Sequence, residues 1–596
     1  MRLFINVNEN TMAEKDADEI ANSKLVPQLK MMIGALWASP VRSKLFWLAG
    51  ALVAVVIVTA YGQIRLNTWN QPFYDALSRR SLNEFLRQLG VFGILAGALL
   101  VLNVAQRWLV ETFKLRLRQG LVNDLVQNWL VPGRAFRLSN AGAVAVNPDQ
   151  RMHEDARHLT ELSADLGIGL FQSSILLATF IEVLWSLSNN FIFHVAGKQF
   201  AIPGYMVWAA VLYSGSASLV SWWVGRSLVD RNADRYAREA DLRFSLVRVN
   251  EHIDAIALAA GEADEARRIQ IDLKAVLRAT ARLVAGLTNL TWITAGYGWF
   301  TQVAPILVAA PLYFAGSLSF GGLMLASGAF MQVQSSLRWF VDNFSTIADW
   351  RATLLRVAGF RRAVISVDDM HEVASRIRYQ ESGDDIRIDD LQIASPSGAT
   401  LLQEKQVEVR AAERVLIVGE PGTGKTLLFR ALAGLWPWGS GTVTHPAGQE
   451  FLYMPRTPYF PPGTLREALA YPLQTGKFDT AAFSNALAKM GLDHLAASLD
   501  TTLRWDRELN EDEQQRLAFA RVVLHRPPWL LIDEVLDSLD DDDLQRVAAI
   551  FQKELPQTGV IHIGRSQTHT QVFSRVLHLI KDPDTHRLPT PAIQPA

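Results

Sequence analysis

Between Arg414 and Leu435 the chain passes from an apolar, β-branched run (Val415-Leu416-Ile417-Val418) through Gly419-Glu420-Pro421-Gly422-Thr423-Gly424-Lys425-Thr426 into a helix-forming run, Leu427 to Leu435. Two glycines five apart followed by Lys and Thr match the phosphate-binding loop pattern, and strand, loop and helix stand in the order that pattern requires. A glycine-rich turn before an ordinary helix is the bland alternative, and the three elements in sequence argue against it. The glycines let the backbone fold its N–H groups around phosphate, and the helix N-terminus adds positive potential. Lys425 would reach the terminal phosphates of ATP, and the Thr426 hydroxyl would ligate Mg2+. This stretch commits the second half of the chain to an α/β fold around a nucleotide.

A second apolar strand, Trp529-Leu530-Leu531-Ile532, ends in Asp533 and Glu534. Asp533 is expected to hold magnesium through water, and Glu534 to polarise the attacking water as the catalytic base. Ahead of it lies Leu509-Asn510-Glu511-Asp512-Glu513-Gln514-Gln515-Arg516-Leu517-Ala518-Phe519-Ala520-Arg521, and behind it Ser538-Leu539-Asp540. In that order they resemble the signature helix and D-loop of ABC ATPases, and the resemblance covers roughly residues 385–585.

With 596 residues the chain exceeds one core and divides into at least two domains. A net charge of −1 excludes the basic surface that a nucleic-acid binder needs. The absence of cysteine excludes disulfides, thiolate metal sites and cysteine catalysis. A mean hydropathy of +0.11 points instead to membrane segments. Six stretches approach the roughly 20 apolar residues that a spanning helix needs: 45–63, 90–110, 166–187, 204–225, 286–314 and 320–346. The last two are interrupted by glycine, proline and amides. Of the 17 tryptophans, 13 precede residue 351, many near the ends of these stretches, which suits aromatic belts at the two membrane interfaces.

Arg and Lys crowd the segments after the second, fourth and sixth stretches, whereas those after the third and fifth are nearly uncharged. Both termini are therefore expected on the cytoplasmic side of a multi-pass protein. Residues 64–90 break the pattern with Arg65, Arg79, Arg80 and Arg87, and read as a folded outer segment. The first 22 residues are acidic and lack an apolar core, unlike a cleaved signal. Residues 23–40 read either as an interfacial amphipathic helix or as a packed helix leading to the first span. The expected order is an N-terminal cytoplasmic segment (1–40), an α-helical membrane domain of exporter-like ABC fold with six spans (41–362), a polar linker (363–385) and an α/β ABC ATP-binding domain (386–596).

Three phrases in the membrane half, Leu66-Asn67-Thr68-Trp69-Asn70-Gln71-Pro72-Phe73-Tyr74-Asp75-Ala76-Leu77, Asn147-Pro148-Asp149-Gln150-Arg151 and Trp339-Phe340-Val341-Asp342-Asn343-Phe344, resemble the bacterial SbmA/BacA-like peptide transporters and their relatives with a fused ATPase. The resemblance implies a homodimer in the bacterial inner membrane that takes up peptides, antimicrobial peptides among them. The wider fold also carries fatty-acyl and vitamin cargoes, so fold does not select the cargo. Read as residues alone, Asn147-Pro148-Asp149-Gln150 is a helix start with Asn as cap, and Trp69 to Tyr74 either lines an outer cavity or packs against a neighbour.

The ATPase departs from the family pattern at four places. Signature Ser and Gly are replaced around Asn510, which keeps a donor for the nucleotide, by Glu511 and Asp512. Arg456 stands for the usual Gln and Arg565 for the switch His; either arginine would stabilise phosphate charge or be a surface substitution. His562 and His569 do not align with the switch. No aromatic residue occupies Ile393 to Ser397, where adenine would stack. Glu182, within the third span, is a functional hypothesis by its cost in lipid. These residues together predict an ATP hydrolase coupled to transport, importing peptides by alternating access. A proton-driven carrier with a regulatory ATPase, an importer of another hydrophilic solute such as a vitamin, and an efflux pump remain the competing readings.

Overall fold

The computed structural model describes residues 25–139, 148–189, 192–195, 198–366, 376–395, 398–565 and 572–582. The chain divides into two units.

The first unit is helical: α1 (Leu25–Ala38), α2 (Arg42–Ser78), α3 (Leu82–Trp129), α4 (Arg134–Ser139), α5 (Ala156–Ser188), α6 (Tyr205–Gly225), α7 (Ser227–Glu251), α8 (Glu262–Phe314), α9 (Phe320–Asp342) and α10 (Phe344–Ser366), of which α4 groups with the second unit. Among the described residues, five helical stretches are long and apolar enough to cross a membrane: α2, α3, Pro148–Ser188, Tyr205–Glu251 and α8. The sixth expected span corresponds to α9. Its Gly321, Gly322, Gln334 and Ser336 are buried, and Ala326, Ala329, Phe330 and Val333 join a core shared with α2, α5, α6 and α8. A helix enclosed by other helices need not be apolar all round, which accounts for its lower hydropathy. Between α5 and α6 lies a two-stranded antiparallel hairpin, β1 (Ile192–Val195) and β2 (Lys198–Ala201).

The outer segment expected at 64–90 is instead the continuation of two helices. α2 runs on to Ser78, and α3 begins at Leu82. Aromatic side chains join them. Trp69 stacks on Phe73 at 4.5 Å and meets Phe92 at 5.0 Å; Phe73 meets Phe85 at 5.1 Å; Trp69 Nε1 donates to Gln88 O at 2.9 Å. The other side of α2 lies against α9. A Cβ on Gly321 would stand 2.0 Å from Gln71 O, and one on Gly328 would stand 2.2 Å from Asn67 Oδ1. Small residues seven apart thus bring the two helices into close contact. Asp75 then accepts from Gly321 N at 2.8 Å and Ser319 Oγ at 2.9 Å, at the start of α9. The segment around Trp69 therefore packs.

α1 buries Gln28, Met32 and Ala35 and exposes Val26, Ile33 and Trp37. Pro148–Gln150 does begin a helix, followed by a wide turn at Arg151–Asp155; Asn147, the expected cap, lies outside the described residues.

The second unit is a ten-stranded sheet with helices on its faces. Its strands are β3 (Arg378–Glu381), β4 (Ile386–Ser395), β5 (Gly398–Leu402), β6 (Gln406–Val409), β7 (Arg414–Gly419), β8 (Gly439–His445), β9 (Phe451–Met454), β10 (Trp529–Asp533), β11 (Gly559–Gly564) and β12 (Arg575–Asp582), in spatial order β3-β8-β4-β5-β12-β7-β11-β10-β9 with β6 beside β4. β7, β9, β10 and β11 are parallel. Alternation splits their side chains: Leu416, Leu530 and Ile532 enter the core on one face, Val415, Ile417, Trp529 and Leu531 the core on the other. β3 falls inside the range read as linker, and α10 reaches Ser366 at its other end, so only 367–375, outside the described residues, separates helix from sheet.

Candidate nucleotide site

At the carboxyl end of β7 the loop turns at Gly422 (φ +87°) and Gly424 (φ +98°) before the eight-residue helix α11 (Lys425–Leu432). A Cβ at position 424 would stand 2.2 Å from Thr400 Oγ1, which itself donates to Thr423 O at 2.7 Å. Only glycine fits that conformation and that space. Thr423 Oγ1 donates to Glu420 O at 2.8 Å, and Lys425 Nζ donates to Gly419 O at 2.9 Å and Glu420 O at 3.1 Å, so the loop is tied to itself from both ends. Glu420 and Pro421 stand exposed at its tip.

Asp533 ends β10. Its Oδ1 is buried without a hydrogen-bond partner, and burial pushes its carboxyl above the usual range, opposed by a hydrogen bond from the Thr426 side chain. A divalent cation fits this pair, because it supplies the charge that the desolvated carboxylate lacks. Thr426 and Asp533 would hold Mg2+, the first directly and the second through water.

Glu534 follows in a left-handed conformation, φ +55°. Its N–H donates to Ile563 O at 2.8 Å, so the chain turns off the strand there and projects the carboxylate from the sheet. Three cations meet it. Arg565 Nη2 lies 2.8 Å and Arg456 Nη1 3.6 Å from Oε2, and Lys425 Nζ lies 3.5 Å from Oε1. The hydrogen bond from Arg565 is the main cause that holds the Glu534 carboxyl below the usual carboxylate range.

Asp537 was not singled out from sequence. Its Oδ2 accepts from Arg565 N at 2.7 Å, and Oδ1 lies 3.7 Å from the buried His562 Nε2. Gly564 permits that approach: a Cβ there would stand 2.8 Å from His562 Nε2 and 3.1 Å from Asp537 Oδ1. A lone Asp three residues after an acidic pair carries no sequence signal of this role.

Two families match the chain, ABC transporter transmembrane region 2 over residues 32–314 and ABC transporter over residues 402–537. The inner membrane ABC transporter ATP-binding protein YddA of Escherichia coli is 28% identical over 516 residues, covering 86% of this chain and 90% of that protein. The chloroplastic ABC transporter D family member 2 of Arabidopsis thaliana is 26% identical over 601 residues, covering 89% and 82%. In fold, the chain is similar to a bacterial Atm1-family ABC exporter with ATP bound, at a TM-score of 0.70 and 17% identity over 91% of this chain and 94% of that one. A membrane region and one ATPase thus stand in a single polypeptide. The chain is an ABC half-transporter.

The half-transporter spans the membrane several times, binds ATP with Mg2+ and hydrolyses it in support of transport. Its phosphate loop, Asp533, Glu534, Arg456 and Arg565 are brought to one end of the sheet. Asn510 also caps a helix. Its Oδ1 accepts from Glu513 N at 2.8 Å and its N–H donates to Glu513 Oε2 at 3.2 Å, a capping box for α12 (Glu511–His525). Its oxygen is committed to the helix, which leaves the amide Nδ2 as the donor for a nucleotide. Gln515 on the same helix donates to Ser538 Oγ at 2.9 Å and so ties signature to D-loop. Arg521 donates to Tyr459 O at 3.1 Å and Ala468 O at 2.6 Å, anchoring the segment that follows Arg456. His562 is 1% exposed, stacked 5.7 Å from Phe573; His569 lies outside the described residues, as do Pro396 and Ser397 in the stretch that lacks an adenine-stacking aromatic. The half-transporter also places α4, which lies between membrane helices in sequence, in the ATPase unit, with the Phe136 ring 5.4 Å from Arg430 Cζ.

Proposed function

We propose that the half-transporter works as a homodimer in the bacterial inner membrane, with both termini in the cytoplasm, and imports peptides by alternating access driven by ATP. The observation that carries the ATP-driven part is the convergence of Lys425, Thr426, Asp533 and Glu534 at one end of the sheet. One chain supplies one phosphate loop and one signature helix, so two chains complete two sites. The Trp69 and Trp339 phrases support the peptide assignment, and the similarity to YddA, named as an inner membrane protein, supports the inner-membrane location.

ATP supplies the phosphoryl group and Mg2+ the counter-charge when bound. The loop's backbone N–H groups from Gly422 to Thr426 wrap the phosphates, and Lys425 draws its ammonium from the Gly419 and Glu420 carbonyls toward them. Glu534 orients and polarises the water opposite the terminal phosphate. Asn510, from the partner chain, donates its Nδ2 to the same nucleotide, where Glu511 and Asp512 oppose its charge. Hydrolysis is accordingly slow.

Uptake of a labelled peptide into sealed vesicles of known orientation tests this reading. Uptake must require ATP and vanish in Lys425→Ala and Glu534→Gln together. One observation favours a second reading: Glu182 is exposed on α5, on a stripe with Ser174, Ala178 and Ser186, in a span where lipid would disfavour it. If uptake survives Glu534→Gln, collapses with the proton gradient and depends on Glu182, proton drive replaces ATP drive; ATP-dependent extrusion of the peptide makes the protein an efflux pump.

A further inference from the structure

Arg565 and Arg456 contact the same oxygen of Glu534, Oε2, while Oε1 is directed at Lys425 Nζ, the ammonium at the phosphate end of the site. A carboxylate that polarises water needs one oxygen free toward the reaction and gains from having the other held. Here the hold is built at two levels. The Arg565 guanidinium grips Oε2 at 2.8 Å, and its backbone N–H is fixed to Asp537 at 2.7 Å, with Gly564 making room for the approach. A surface substitution has no reason to be fixed at both backbone and side chain.

We propose that Arg565 is the positioning residue for Glu534, assisted by Arg456: it fixes Oε2 and so aims Oε1 at the attacking water. This rests on the ATP-hydrolysing reading and names the device that orients its base. Where the resembling ABC ATPases place a neutral Gln and a His, this site places two permanent cations. Both reach Oε2, so the carboxylate is held in one geometry. A phosphate ligand is the other role open to Arg565, and the two roles separate in nucleotide affinity.

The test uses the full-length protein in lipid nanodiscs, with Arg565→Gln and the charge-keeping Arg565→Lys. ATP affinity is measured by displacement of a fluorescent ATP analogue, in both the native and the Glu534→Gln backgrounds; kcat and KM are measured alongside. The expected result is an ATP affinity within about threefold of the parent in both backgrounds, with kcat lowered about ten- to a hundredfold in Arg565→Gln, the lower part of what a positioned base contributes. Arg565→Lys, which keeps a cation within reach of Oε2, recovers part of kcat with KM near the parent's. A tenfold or greater loss of ATP affinity overturns the proposal in favour of a phosphate ligand. An unchanged kcat overturns it in favour of a surface substitution. If Glu534→Gln itself leaves hydrolysis intact, the catalytic assignment fails, and that outcome is distinct from a failure of the pairing alone.

Discussion

Asp155 is 4% exposed, at the wide turn that leads into α5, and three charge-assisted contacts reach it from Arg356 on α10 (Nε at 3.1 and 3.2 Å, Nη2 at 2.9 Å), with a fourth from Arg151 Nη1 at 2.5 Å. Asp155→Asn keeps the shape and removes the charge. Breaking a buried pair by neutralising one partner costs about 3–5 kcal/mol when the other charge stays buried. Here the arginine side chains are 26% and 37% exposed, so water recovers part of that loss. We expect about 2–3 kcal/mol. Unfolding of the full chain in nanodiscs, followed by tryptophan fluorescence, should show the membrane unit melting several degrees lower, at roughly 2 °C or more per kcal/mol. Arg356→Met should cost a similar amount, and the double variant Asp155→Asn with Arg356→Met should cost clearly less than the sum of the two, because the Asp155–Arg356 pair is lost only once. A loss below about 0.5 kcal/mol for Asp155→Asn, or strict additivity in the double variant, would refute the reasoning.

Glu534→Gln and Lys425→Ala should each reduce ATP hydrolysis to background, while Glu534→Gln retains ATP binding in a filter assay and Lys425→Ala loses it. Asp533→Asn should raise the melting temperature of the nucleotide-free protein at neutral pH, since it replaces a carboxylate that burial disfavours, and should abolish the stabilisation given by ATP with Mg2+. The sign follows from the raised carboxyl: its ionised form opposes folding as pH rises through its folded value, so the variant's advantage should shrink in acid. Gly321→Ala should destabilise the membrane unit by about 1–3 kcal/mol, as overpacking against backbone does, because its Cβ would meet Gln71 O; a variant that melts with the parent contradicts the close approach of α2 and α9.

The nucleotide loop and the Asp533-Glu534 pair were legible because each is local: a strand, a turn and the side chains that follow it lie within a few residues. Spans were legible where helices face lipid and failed to look apolar where a helix is enclosed, as with α9. The stretch at 64–90 misled because charged and polar residues sit among the aromatics that zip α2 to α3; periodicity carries through Trp69, Phe73 and Asn67, but mean hydropathy does not. Arg456 and Arg565 could be flagged as departures, yet their shared target could not be read, since 78 and 31 residues separate them from Glu534. The motif position of Asn510 points to a nucleotide donor, and Glu513 three residues on marks the capping box that engages its oxygen, a second role that sequence alone also contains.

The contact of α2 with α9 through Gly321 and Gly328 carries a consequence for how the membrane unit can rearrange. At Gly321 the helix α9 meets the Gln71 backbone carbonyl and at Gly328 the Asn67 side-chain amide, and Asp75 cross-ties the end of α2 to the first turn of α9, so the two helices interlock closely along seven residues. A slide by one helical turn would drive Leu325 or its neighbours into the space that only glycine fills. The pair therefore behaves as one beam, and any shear must be taken up elsewhere.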